Sequence, residues 1–66
     1  MSDAKIIELS CESPKSFEDA VQSGIARASK TVHNIKGAWV KEQKVVIENG
    51  KIMMYRVYLK VTFVLD

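Results

Sequence analysis

The chain has 66 residues, 47% of them hydrophobic and 27% charged, with a net charge of +2 and a pI near 8.8. That length holds one domain and excludes a cleft between domains. A chain this short buries only about 60% of the surface its unfolded form exposes, so a disulfide, a metal or further subunits are expected to assist it.

From Lys5 to Cys11, Ile7, Leu9 and Cys11 alternate with Glu8 and Ser10, which predicts a half-buried first strand. Glu12, Ser13, Pro14 and Lys15 read as a turn, because Pro14 neither donates a backbone hydrogen bond nor tolerates a helical residue before it. Ser16 is the expected N-cap of a helix, with Glu18 and Asp19 in the first turn, where free amides and the positive end of the dipole favour carboxylates. Phe17, Ala20, Val21, Gly24, Ile25, Ala28 and Val32 recur at helical spacing, so the helix is predicted to end between Val32 and Asn34. Arg27, Lys30 and His33 then fall in its last turns, the sign the dipole prefers there. Gly24 costs a helix interior up to about 1 kcal/mol relative to Ala, and its expected reason is close approach to a strand.

Ile35 to Glu48 and Lys51 to Leu65 read as two long strands joined by Asn49-Gly50, the residues a type I′ hairpin turn selects. A two-residue turn pairs Glu48 with Lys51, Val46 with Met53, Lys44 with Tyr55, Glu42 with Val57, Val40 with Leu59 and Ala38 with Val61. On the other face it pairs Ile47 with Ile52, Val45 with Met54, Gln43 with Arg56, Lys41 with Tyr58, Trp39 with Lys60 and Gly37 with Thr62. Met53, Tyr55, Val57, Leu59, Val61, Phe63 and Leu65 form an unbroken apolar parity that the helix is expected to cover. A strand from Lys51 to Leu65 spans about 50 Å, whereas a helix of about 17 residues covers about 25 Å, so part of that face stays bare. Other copies of the chain, in closed symmetry, are the expected cover. A right-handed crossover through the helix makes the first two strands parallel and leaves the third between them, antiparallel to both. The expected fold is α+β: a β-α-β-β unit whose three-stranded antiparallel sheet wraps one helix, with residues 1–66 as a single domain.

Cys11 is the single cysteine, so it forms no internal bridge, and a lone thiol fits the reducing cytoplasm. A structural zinc site needs about four Cys or His ligands, and Cys11 with His33 supplies too few. No apolar run approaches the roughly 20 residues of a membrane helix, and Met1-Ser2-Asp3-Ala4 does not start a signal peptide, so no membrane partner is expected and the given chain is expected to be the mature one. The ten Lys and Arg and eight Asp and Glu are interspersed without a basic block, which reads as ordinary solvation and not as nucleic-acid binding.

No Gly-rich phosphate loop, no Cys-x-x-Cys and no His with a partner carboxylate assembles a nucleophile or a closed metal site, so catalysis is not expected. Cys11 reads as a small buried residue, His33 as a surface residue that the helix dipole favours, and Met53 and Met54 as filler. Trp39 competes for a functional role, since Lys60, Lys41, Gln43 and Arg56 are expected near it on the face away from the helix. It reads first as an anchor where subunits meet, and second as a stacking platform for a planar ligand, with Gln43 and Arg56 as donors.

Four stretches resemble one family in order and spacing: Ser13-Pro14-Lys15-Ser16-Phe17-Glu18-Asp19-Ala20-Val21, Ile25-Ala26-Arg27-Ala28-Ser29-Lys30-Thr31-Val32, Ile47-Glu48-Asn49-Gly50-Lys51-Ile52 and Tyr55-Arg56-Val57-Tyr58-Leu59-Lys60-Val61-Thr62-Phe63. The family is the dodecins, small flavoproteins that assemble as hollow dodecamers of β-α-β-β subunits. The resemblance implies a homododecamer that stores or sequesters a flavin, FMN or riboflavin, between subunits without turnover. Flavin-binding members resemble one another in a Trp that stacks on the ring and a Gln that bonds its polar edge; these fall on Gly37 and Arg56 here. Trp39 supplies an aromatic about 7 Å further along the same strand. Lys44 matches a position that is often basic, and Val64 stands where many members carry Arg. The resemblance thus points to Trp39, Gly37, Arg56 and Lys44 as the flavin site, with binding weaker or differently posed than in Trp-containing members. The alternative is a shell that holds a divalent ion at symmetry axes, or another anionic small molecule near Arg56.

Overall fold

The computed structural model describes residues 3–65, in the order β1 (Asp3–Ser13), α1 (Phe17–Ala28), β2 (Ile35–Glu48) and β3 (Lys51–Leu65). β3 lies between β1 and β2 and is antiparallel to both, the arrangement a right-handed crossover through α1 dictates.

β1 runs past its expected end at Cys11 to Ser13. The Ser13 hydroxyl is buried, donates to Asp19 Oδ2 at 2.6 Å and accepts from the Lys15 amide at 3.0 Å. These bonds tie the turn to the strand end, and the ladder stops before Pro14, which has no N–H to donate. Ser13→Ala removes a buried hydroxyl that bonds both Asp19 and the Lys15 amide and is expected to cost about 1–3 kcal/mol. Urea unfolding at fixed protomer concentration measures it.

Ser16 caps α1 as expected, accepting from the Asp19 amide at 2.9 Å. The helix ends at Ala28, well short of Val32. The Ser29 hydroxyl donates to the Ile25 carbonyl at 2.8 Å, while the Lys30 and Thr31 amides fold back to Arg27 and Ala28. Such local hydrogen bonds compete with helix propagation and tighten its last turn. Asn34, at φ 63, then takes the left-handed conformation that Asn tolerates and redirects the chain into β2. Of the expected basic residues only Arg27 stays in the last helical turn.

Asn49 and Gly50 both have positive φ, 52 and 74, as a type I′ turn requires. Glu48–Lys51 and Ile47–Ile52 pair as expected, but a register shift between Val46 and Ile47 then sets Val46 opposite Met54, Val45 opposite Tyr55, Lys44 opposite Arg56, Gln43 opposite Val57 and Glu42 opposite Tyr58. The expected pairs Val46–Met53, Lys44–Tyr55, Glu42–Val57, Val45–Met54, Gln43–Arg56 and Lys41–Tyr58 are therefore not formed. A second shift between Val40 and Glu42 restores the expected register, including Val40–Leu59, Trp39–Lys60, Ala38–Val61 and Gly37–Thr62. The physical reason is the period of two: unshifted, Glu42 and Lys44 would share a face with Val57 and Tyr55, and one bulge residue moves both charges to the other side.

The core consists of Cys11, Ala20, Val57, Leu59 and Val61, with Ile7, Leu9, Phe17, Val21, Ile25 and Ile35 packed around it. The Phe17 ring meets Tyr55 edge to face at 5.1 Å between centroids, which fastens the start of α1 to β3. Twelve helical residues reach about 18 Å, but the molecule is 52 Å long. Ile47, Ile52, Met53 and Leu65 consequently stay exposed at the two ends of the hairpin. The accessible surface of 4886 Å² exceeds the roughly 4200 Å² of a compact monomer of this mass. Among the described residues no helix is long and apolar enough to cross a membrane.

Candidate functional site

Cross-strand partners share a face, so the register lays four rows across the side of the sheet turned away from α1. They are Ile6–Thr62–Gly37, Glu8–Lys60–Trp39, Ser10–Tyr58–Glu42 and Glu12–Arg56–Lys44. Lys41, in the bulge, reaches over β3 to Glu8, with Nζ 3.3 Å from Oε1. Lys41, Lys44, Arg56 and Lys60 thus face only Glu8, Glu12 and Glu42, a small surplus of positive charge.

Trp39 is 59% exposed. Two residues before it on the same face, Gly37 leaves open space: a Cβ there would meet only the Thr62 hydroxyl, at 3.4 Å. Thr62 Oγ1 donates to the Gly37 carbonyl at 3.2 Å, which holds this end of β2 against β3.

The Arg56 guanidinium donates through Nε to Glu12 Oε1 at 2.6 Å, and its Nη2 also contacts that oxygen. The Glu12 hydrogen bond, then one with Tyr58, raises the Arg56 pKa above its ordinary value, and the charge of Glu12 adds to the shift. Arg56 is therefore a cation paired with Glu12 at a partly exposed site.

Of the residues expected in the site, Gly37 and Trp39 share one end of this face, and Lys44 with Arg56 share a row at the other. Lys60 and Arg56 lie four residues apart on β3, which separates the two groups by about 13 Å. Gln43 does not join them. The bulge turns it toward the α1 side, opposite Val57, and Lys44 stands in the place expected for it. Glu12 is the member that reading the sequence missed, because Pro14 made it look like turn; the even parity Ile6, Glu8, Ser10, Glu12 carried the signal.

Elsewhere, chemistry is sparse. Cys11 is 2% exposed, and burial pushes its thiol pKa up, partly offset by the charge of Arg27. It stays a neutral thiol, which is a poor nucleophile. Among the described residues no group of three His, Cys, Asp or Glu side chains is placed to hold a metal ion.

The dodecin family model matches residues 4–66. A curated relative, the calcium dodecin of Mycobacterium tuberculosis, is 35% identical over 63 residues, which is 96% of this chain and 89% of the relative. The crystal structure of that calcium-chelating protein, described as having a novel calcium-binding site, superposes with a TM-score of 0.84 over 97% of this chain and 91% of the other, at 35% identity. The dodecin from Streptomyces davaonensis superposes with a TM-score of 0.94 at 32% identity, covering 98% of this chain and 96% of that one. With a β-α-β-β fold and a family match along nearly its whole length, this chain belongs to the dodecin family.

Proposed function

We propose that this chain assembles as a hollow homododecamer and stores or sequesters a flavin, riboflavin or FMN, between its copies without catalysing a reaction. The observation that carries this reading is Trp39, a large exposed indole on the same face as the open space at Gly37 and among surplus cations. An indole face stacks on any planar π-system. The gap admits a ring edge that a side chain would block, and Lys44, Lys60 and Arg56 supply donors and positive charge. The residues present therefore fit a flavin, although the aromatic and the polar donor stand at other positions than in the family pattern.

A bound flavin supplies a planar, redox-active ring; the protein's part is to stack on it, bond its polar rim and keep water away. The 13 Å or so between Trp39 and the Arg56 row favours a ligand clamped by residues from more than one copy. The bare apolar ends at Ile47, Ile52, Met53 and Leu65 give those copies surface to bury. Titration of riboflavin or FMN with purified protein is expected to quench flavin fluorescence with saturation at micromolar protein. Unchanged emission removes the proposal.

A divalent-cation store is the second reading, favoured by the 35% identity to a calcium dodecin. No single copy brings three ligating side chains together among the described residues, so carboxylates of several copies would have to converge at a symmetry axis. A thermal shift with calcium and none with flavin supports that reading over the first.

A further inference from the structure

We infer that Glu12 determines which flavin this face prefers: by holding Arg56 in an ion pair, it leaves N–H donors for an uncharged ring edge and withholds the cation from a ligand phosphate. This rests on the flavin reading above and adds to it a residue from β1 that neither Trp39 nor the hairpin supplies.

The two side chains are register partners on β1 and β3, so the backbone ladder fixes their approach. Arg56 Nε donates to Glu12 Oε1 at 2.6 Å, and Nη2 contacts the same oxygen. A guanidinium has more N–H groups than these contacts use. What remains can serve a neutral carbonyl at little electrostatic cost, because the pair as a whole carries no net charge. A phosphate gains less there, since it must share the cation with a carboxylate already in contact.

The opposite neighbour of Arg56 in its row is Lys44, on β2. Removal of the Glu12 charge leaves two adjacent cations, an arrangement suited to a phosphate dianion. Glu42 and Tyr58 in the next row, and Glu8, Lys60 and Lys41 beyond it, are unchanged by that substitution. The Arg56 and Glu12 side chains are 30% and 38% exposed, so solvent screens the effect and keeps it modest.

The test compares riboflavin with FMN, which differ by the phosphate alone, on the intact assembly of the wild type, Glu12→Gln, Arg56→Gln and the double variant. Glu12→Gln is expected to raise the FMN-to-riboflavin affinity ratio about fivefold, the scale of a partly exposed charge contact. The gain shrinks as salt is added and is absent when Arg56→Gln is already in place. An unchanged ratio with both flavins bound overturns the inference and leaves the flavin site standing. A rise of equal size in the Arg56→Gln background overturns it too, because Glu12 then acts as bulk charge. Failure of both flavins to bind any variant defeats the flavin reading itself, and this inference with it.

Discussion

Gly24→Ala is expected to destabilise the protein by about 2 kcal/mol or more, the cost of overpacking a filled core. The sign is diagnostic, because the same change in an exposed helix interior gains up to about 1 kcal/mol from helix propensity. Gly24 is buried in α1 where the helix crosses β1, and a Cβ there would lie 2.1 Å from Cys11 Sγ and 3.0 Å from Cys11 Cβ. Neither partner has room to retreat, since Cys11 and its neighbour Val57 are both core residues. Cys11→Ala deletes the sulfur and should by itself cost the smaller amount of a lost buried atom. The double variant Cys11→Ala/Gly24→Ala is then expected to be more stable than the sum of the single changes, a coupling typical of residues in contact. Denaturant midpoints at one protomer concentration decide it. A neutral or stabilising Gly24→Ala would show that α1 does not pack this closely.

Trp39→Ala is expected to weaken flavin binding about 10- to 100-fold, the range of one base–aromatic stack removed by alanine, with the particle size unchanged. Trp39→Phe retains a π-face and is expected to keep part of the affinity. Stacking and anchoring are separable here. If Trp39 is an interface anchor, Trp39→Ala dissociates the assembly, while particles that remain intact bind flavin as the wild type does. Light scattering beside a fluorescence titration reads both properties from one sample, and loss of assembly with full affinity contradicts the stacking role.

Much of the fold is legible in the sequence, because each element has its own punctuation. The odd parity Ile7, Leu9, Cys11 marks the buried side of β1; Ser16 marks the start of α1; Asn49-Gly50 marks the hairpin. Crossover handedness then orders the strands. The errors lie where short-range hydrogen bonds compete with periodicity. Val32 continues the apolar stripe of α1, yet Ser29 and Thr31 bind carbonyls of the last turn and the helix stops. A turn of two residues implies an even register, yet the charges of Glu42 and Lys44 are better solvated on the outer face, so bulges intervene. No local pattern announces a bulge that a second bulge later cancels.

The candidate site was legible to the same extent. Gly37 and Trp39 lie in the stretch that keeps the register of a two-residue turn, and they share one face as expected. Arg56 takes the expected face but pairs with Lys44 in place of Gln43. The bulge turned Gln43 away and brought Lys44 in, and the hidden continuation of β1 brought Glu12. A sheet site is assembled across strands, so an error of one residue in register, or of two in a strand end, exchanges its members without disturbing the fold.

In the proposed assembly the ligand lies between copies of this chain. Sedimentation of the protein with riboflavin, followed at once in the protein band and in the visible flavin band, tests it most directly. The predicted result is a single fast boundary that carries both signals, with the visible signal lost when the particle is dissociated. A fast boundary with no flavin, or flavin that travels with the dissociated protomer, would contradict it.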